Sequence, residues 1–199
     1  AALGRLGLLH LFVAVFWSLY DQTSSAWVLQ AEHMDRRILG IEVLPSQVGA
    51  INPVLILLLV PTFYGVDLDL TPSRCRLRVP GVYALIEDKC GVRVTPMRKM
   101  GAGFFLLTLS FVIPWRVELA IAAGDTPSIW WHMLAYLILT ASEVLVSVTG
   151  LEFSYTQAPS SMKSVVMSFW LLCVAAGNAF TALVNALIIN ADGTSKISG

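Results

Sequence analysis

The hydrophobic pattern divides the chain into five long apolar runs joined by shorter polar connectors. The runs cover Leu6–Leu29, Leu44–Gly65, Lys99–Ala123, Ser128–Gly150 and Ser164–Ile189. Crossing the roughly 30 Å hydrocarbon layer of a bilayer takes about 20 helical residues, so each run is long enough to span. Backbone groups in lipid find no water and must bond within their own segment, which a helix achieves. The pattern therefore predicts an all-α, multi-pass transmembrane helical bundle of about five helices across residues 1–199. The first run is too long, and too polar in its second half, for a cleaved signal peptide. One connector stands apart: Val66–Gly81 (VDLDLTPSRCRLRVPG) is polar, carries no helical stripe and reads as a polar cytoplasmic insertion.

Composition agrees, since 56% of residues are hydrophobic and only 13% charged, far from an ordinary soluble domain. Charge placement adds orientation. Seven cations (Arg74, Arg76, Arg78, Lys89, Arg93, Arg98, Lys99) fall between the second and third runs, and Arg5 and Lys163 share that side if the spans alternate. Arg36, Arg37, Arg116 and Lys196 fall on the other. The positive-inside bias then puts the N-terminus and the second connector in the cytoplasm of a plasma (inner) membrane protein. With no basic helix carrying interleaved aromatics, no nucleic-acid partner is expected. Cys75, Cys90 and Cys173 form neither a disulfide framework nor a CxxC metal spacing. No HExxH, GxSxG or Walker motif occurs, so an enzyme is not expected.

Polar groups inside the runs are the candidate chemistry. Glu143 lies in YLILTASEVL (Tyr136–Leu145), where a carboxylate is costly unless it is paired, protonated or facing water. At helical spacing Glu143, Ser147, Gly150 and Ser154 share one face. Trp17 and Asp21 are four apart with Ser24 and Ser25 following, a face that suits either the wall of a hydrated cavity or an interhelical hydrogen-bond patch. In the second run Asn52-Pro53 predicts a helix break that leaves a carbonyl near Gly49 without its usual partner. Asn52 there suits a ligand's polar backbone, or simply the joining of two helices. Ala175, Ala176, Gly177 and Ala179 read as a close-packing face, whereas Trp170 fits ligand contact and core packing equally. His10 reads as a packing residue, and Gly101, Gly103 and Pro114 make the third run a packing element.

Three blocks carry a family resemblance: FWSLYDQTSSAWVLQAEHM (Phe16–Met34), QVGAINPVLILLLVPTF (Gln47–Phe63) and SEVLVSVTGLEFSYTQAPSSMKSVVMSFWLL (Ser142–Leu172). Together they resemble the C-terminal half of the proton-dependent oligopeptide transporters, a branch of the major facilitator superfamily. TGLEFSYTQAP followed by MKS is the most specific of these. The resemblance implies a partial C-terminal bundle of major facilitator type, matching helices seven to eleven. It implies proton-coupled symport of di- and tripeptides, with protons as coupling ion and no cofactor. Expected partners are the peptides, the lipid bilayer and a missing N-terminal helical bundle.

On matching positions, the resemblance makes Glu143 the tenth-helix carboxylate that recognises the peptide amine and couples protonation to binding. Asn52 matches a contact to the peptide backbone, and Trp17 and Trp170 match pocket aromatics. Ser147, on the Glu143 stripe, joins the expected substrate-binding set. Phe16, Leu19 and Asp21 fall where the seventh helix contributes to extracellular gating. Arg5 resembles a helix-seven Arg that pairs in some members with an eighth-helix Asp, but Tyr64 stands at the corresponding place. No twelfth helix is expected in Asn190–Gly199, and five helices alone are not expected to transport. The alternatives are a nitrate or amino-acid carrier of the same family, or a truncated, non-transporting membrane protein.

Overall fold

The computed structural model describes residues 2–38, 40–69, 76–91 and 93–188. The polar tail Asn190–Gly199, the end of the fifth run at Ile189, and residues 70–75 of the expected insertion, with Arg74 and Cys75, lie outside the described residues. The chain forms two compact units, Ala1–Leu29 with Leu151–Gly199, and Gln30–Gly150. Its elements are α1 (Ala2–Tyr20), α2 (Ala26–Glu32), β1 (Arg37–Ile38), β2 (Ile41–Glu42), α3 (Ile51–Tyr64), β3 (Gly65–Asp69), β4 (Arg76–Pro80), α4 (Val82–Cys90), α5 (Pro96–Ala122), α6 (Trp130–Glu143), α7 (Thr149–Gln157) and α8 (Lys163–Ile188).

Among the described residues, four helical stretches are long and apolar enough to cross a membrane: Pro45–Tyr64, Pro96–Ala122, Trp130–Gln157 and Ser160–Leu187. The first apolar run is not one continuous helix. α1 stops at Tyr20, a 3₁₀ turn covers Asp21–Ser24, and the chain resumes as α2 at Ala26. DQTSS explains the interruption, because Asp and Ser side chains compete for nearby backbone groups. Ser25 bonds both the Gln22 carbonyl and the Gln22 side chain, at 3.5 and 3.3 Å.

In the first unit α1 packs along α8. Gly177 permits it: a Cβ there would lie 2.5 Å from the Ala14 carbonyl oxygen and 2.8 Å from the Ser18 nitrogen. Thr181, one turn on, donates to the Ser18 carbonyl at 2.6 Å. The small residue and the hydroxyl together bring two backbones into contact where lipid gives helices no hydrophobic reason to associate. His10 is buried with its ring edge-on to Phe169 and Trp170.

In the second unit α5 packs on α6, and α3 packs on α6. Gly103 is again the point of closest approach, since a Cβ would meet Val146 Cγ2 at 2.5 Å. Ser142 donates to the Gly103 carbonyl at 2.6 Å. Within the region read as an insertion, β3 and β4 form an antiparallel pair from Gly65↔Pro80 to Asp69↔Arg76. The alternation in VDLD and RLRV, with a positive φ of 85° at Gly65, allows the chain to leave α3 directly into a strand. This small sheet, and the two-residue pair β1–β2, are additions to an otherwise helical bundle.

Beyond β4, the amphipathic helix α4 returns toward the start of α5. Lys99 Nζ sits 3.8 Å from the Tyr83 ring centroid and 4.8 Å from that of Tyr64. The Tyr64 hydroxyl is 3.1 Å from the Thr149 hydroxyl. Burial pushes the Tyr83 phenol well above its ordinary range, so Lys99 meets a neutral ring and is held by the ring quadrupole.

Candidate functional site

The second unit assembles a polar cluster from two helices that cross the apolar layer. Pro53 has no N–H to give, and the backbone answers by running as 3₁₀ helix over Pro45–Ala50 before α3 begins at Ile51. The Ile51 amide bonds the Val48 carbonyl, an i+3 pairing. The expected break at Asn52-Pro53 is thus a change of helix type. It sets Asn52, half-buried, in the first turn of α3.

Asn52 Nδ2 donates to Glu143 Oε2 at 3.2 Å. Its other end is also held, because Thr140 Oγ1 donates to Asn52 Oδ1 at 2.6 Å. Thr140 is fully buried, and its single hydroxyl proton is shared with the Tyr136 carbonyl, 2.7 Å away. A threonine hydroxyl can donate to the amide oxygen, whereas the carboxylate only accepts when ionised, so the amide has one orientation that suits both neighbours. Thr140 was not singled out from the sequence. Its signal was a position three residues before Glu143, which puts both on one helix face.

Immediately after Glu143 the helix widens into a π stretch, Val144–Val148, before returning to α at Thr149. Such bulges displace side chains from α-helical register and recur at functional sites. The spacing that aligns Glu143 with Ser147 assumes an unbroken α-helix, so the bulge alters the predicted stripe at its second member. Ser147 Oγ and, further on, Ser154 Oγ are buried without a hydrogen-bond partner among the described residues. The bulge is seated over Gly103, one of the two glycines of α5.

The remaining predicted residues belong to the first unit. Phe16 is fully buried and packs edge-on to Trp17 and stacked on Tyr20, with centroids 5.9 and 6.1 Å apart. Trp17 is half-buried, and its Nε1 is buried without a hydrogen-bond partner among the described residues. Trp170 is buried against His10. Leu19 is exposed, and Asp21 opens the 3₁₀ turn that ends α1. Asn52 and Glu143 are joined directly by a side-chain hydrogen bond, and Thr140 is the third member of the cluster. No group of three or more His, Cys, Asp or Glu among the described residues is placed to hold a metal ion.

A second polar cluster lies elsewhere in the unit. Gln30 Nε2 donates to the Pro114 carbonyl at 3.0 Å and to Glu118, while Gln30 Oε1 lies 2.8 Å from His132 Nε2. One amide thus ties α2, α5 and α6 together, and periodicity does not reveal it because Gln30 lies 84, 88 and 102 positions before Pro114, Glu118 and His132.

Long apolar helices with a paired intramembrane carboxylate define a multi-pass membrane protein of the helical-bundle class. The model of the POT family (PTR2) matches residues 2–198, and the chain belongs to that family. Similar proteins include Solute carrier family 15 member 2 of Mus musculus, 60% identical over 130 residues, which cover 62% of this chain and 18% of that protein. Peptide transporter family 2 of Caenorhabditis elegans is 40% identical over 107 residues, 54% of this chain and 12% of the relative. A crystal structure of an auto-inhibited POT family peptide transporter superposes with a TM-score of 0.79 at 37% identity, over 96% of this chain and 34% of that one. The chain thus spans less than a fifth of the length of these curated relatives.

Proposed function

We propose that this chain is the C-terminal part of a proton-coupled symporter of di- and tripeptides, inactive without an N-terminal helical bundle. The observation that carries the reading is the Thr140–Asn52–Glu143 chain of hydrogen bonds between two membrane-crossing helices. A peptide's constant features are its amine, its carboxylate and its backbone. Broad selectivity is served by gripping these and leaving room for the side chains. Glu143 supplies the acceptor for the amine, and Asn52 supplies a donor and an acceptor for the backbone. Ser147 Oγ, without a hydrogen-bond partner among the described residues, is a further donor in the same unit. Membership of the POT family and similarity to proteins named as peptide transporters support the substrate class.

Proton coupling follows from the same carboxylate. An ammonium beside Glu143 favours the ionised form and an apolar, empty site favours the protonated one, so peptide and proton alternate there. Phe16, Leu19 and Asp21, near the end of α1, act in gating. The protein resides in the plasma (inner) membrane with the α1 start and α4 in the cytoplasm, consistent with the cations around α4.

The test is uptake of a labelled dipeptide by the full-length transporter. Glu143→Gln removes the charge-assisted bond to the amine and lowers uptake about tenfold or more. Wild type discriminates against N-acetylated dipeptide and Glu143→Gln does not. Unchanged proton-driven uptake in the variant would refute the role of Glu143. Competition by free amino acids or nitrate, but not dipeptides, would move the substrate to another class.

A further inference from the structure

We propose that the C-terminal half of α5 carries a phospholipid site, with the lipid phosphodiester on Arg116 and an acyl chain in the groove beside it. The groove has a volume of about 280 Å³ and is lined by Val112, Ile113, Val117, Ala120, Pro127 and Trp131, with Arg116 at its edge. Val112, Arg116 and Ala120 repeat at intervals of four, and Ile113, Val117 and Ala120 at four and three, so α5 presents one continuous apolar wall interrupted by a single cation. Ala120 is the smallest member of that wall and gives the groove its depth. Pro127 and Trp131 form the facing side, from the connector that follows α5 and from the first turn of α6.

The cation defines the occupant. Arg116 is exposed, and no ion pair involving it is found among the described residues. The carboxylate two positions away, Glu118, is engaged by Gln30. Arg116 lies six residues before the end of α5, about 9 Å along the axis from Ala122. That is the depth at which a long basic side chain reaches from hydrocarbon toward headgroups. Trp115, in the last third of α5, and Trp130 and Trp131, in the first turn of α6, are all more than half exposed, as residues of an aromatic belt near a membrane interface are. A guanidinium binds a phosphodiester with two parallel donors, and the apolar groove beside it matches an acyl chain. A soluble anion would leave that groove empty. The assignment does not depend on which solute the protein carries.

Two measurements on the intact protein test it. In liposomes of phosphatidylglycerol and phosphatidylcholine, benzoylphenylalanine in place of exposed Val112 crosslinks to lipid on illumination. Crosslinking to another polypeptide segment instead overturns the proposal. In native mass spectrometry with added phosphatidylglycerol, wild type retains a bound lipid. Retention falls about tenfold in Arg116→Gln through loss of the charged bonds, falls similarly in Ala120→Trp, which fills the groove, and is largely kept in Arg116→Lys. Equal retention in wild type and Arg116→Gln also overturns it.

Discussion

At the scale of single residues, the bond from Thr140 matters because of where Asn52 points. An amide held at one end only can turn over, and Asn52 turned over would set its oxygen against the Glu143 carboxylate. Thr140→Val keeps the shape but removes the donor to Asn52, a lost hydrogen bond worth about 0.5–1.5 kcal/mol. We expect a lower melting temperature in detergent and a raised KM for dipeptide uptake, with Thr140→Ser recovering both. A change in stability without any change in KM would mean that the hydroxyl serves packing alone. Glu143 and Asn52 were legible as candidates from sequence because a polar group in an apolar run is conspicuous there. Thr140 was not, since a threonine in a membrane helix is commonly satisfied by its own backbone, as its bond to Tyr136 partly illustrates.

Among elements, two glycines set the spacing of helix pairs. Any side chain at Gly177 meets the backbone of α1, which cannot rotate away as a side chain would. Gly177→Ala should therefore destabilise by about 1–3 kcal/mol through overpacking, seen as a lowered melting temperature, while Ala179→Leu on exposed surface has little effect. The cation held between Tyr64 and Tyr83 belongs to this scale as well. Lys99→Met keeps the aliphatic packing and removes a charge worth roughly 0.5–2 kcal/mol, so a small loss of thermal stability is expected that high salt does not abolish. The hairpin gives a further expectation. The ends of α3 and α4 adjoin at Gly65 and Gly81, where a Cβ on Gly65 would lie 2.7 Å from the Gly81 nitrogen. Excising residues 66–80 should leave the helices folded and the melting temperature within a few degrees of wild type, because long surface connections are thermodynamically inexpensive.

For the whole molecule, the controlling fact is that the chain belongs to the POT family but spans a small part of its relatives' length. Carriers of this kind place their sites at the interface of two halves and work by moving one half against the other. If the proposed function holds, residues 1–199 reconstituted alone show no dipeptide uptake above empty liposomes, and co-expression with an N-terminal helical bundle of the family restores it. Transport by the isolated chain would overturn this expectation.

What the sequence determined by itself is what local physics controls. Apolar runs longer than a bilayer is thick fold as helices over most of their length, and Pro53 marks where the backbone changes from 3₁₀ to α. The helix change at Asn52-Pro53 was readable because a missing N–H acts within one turn. The tertiary structure decided what depends on residues far apart in the chain. Asn52 meets Glu143 across 91 positions and Thr140 across 88, and no periodicity encodes which polar groups pair across such distances. The π stretch after Glu143 was likewise invisible, because α-helical spacing fits Val144–Val148 equally well on paper. It becomes a site-shaping feature only where Gly103 gives the widened turn a place to lie.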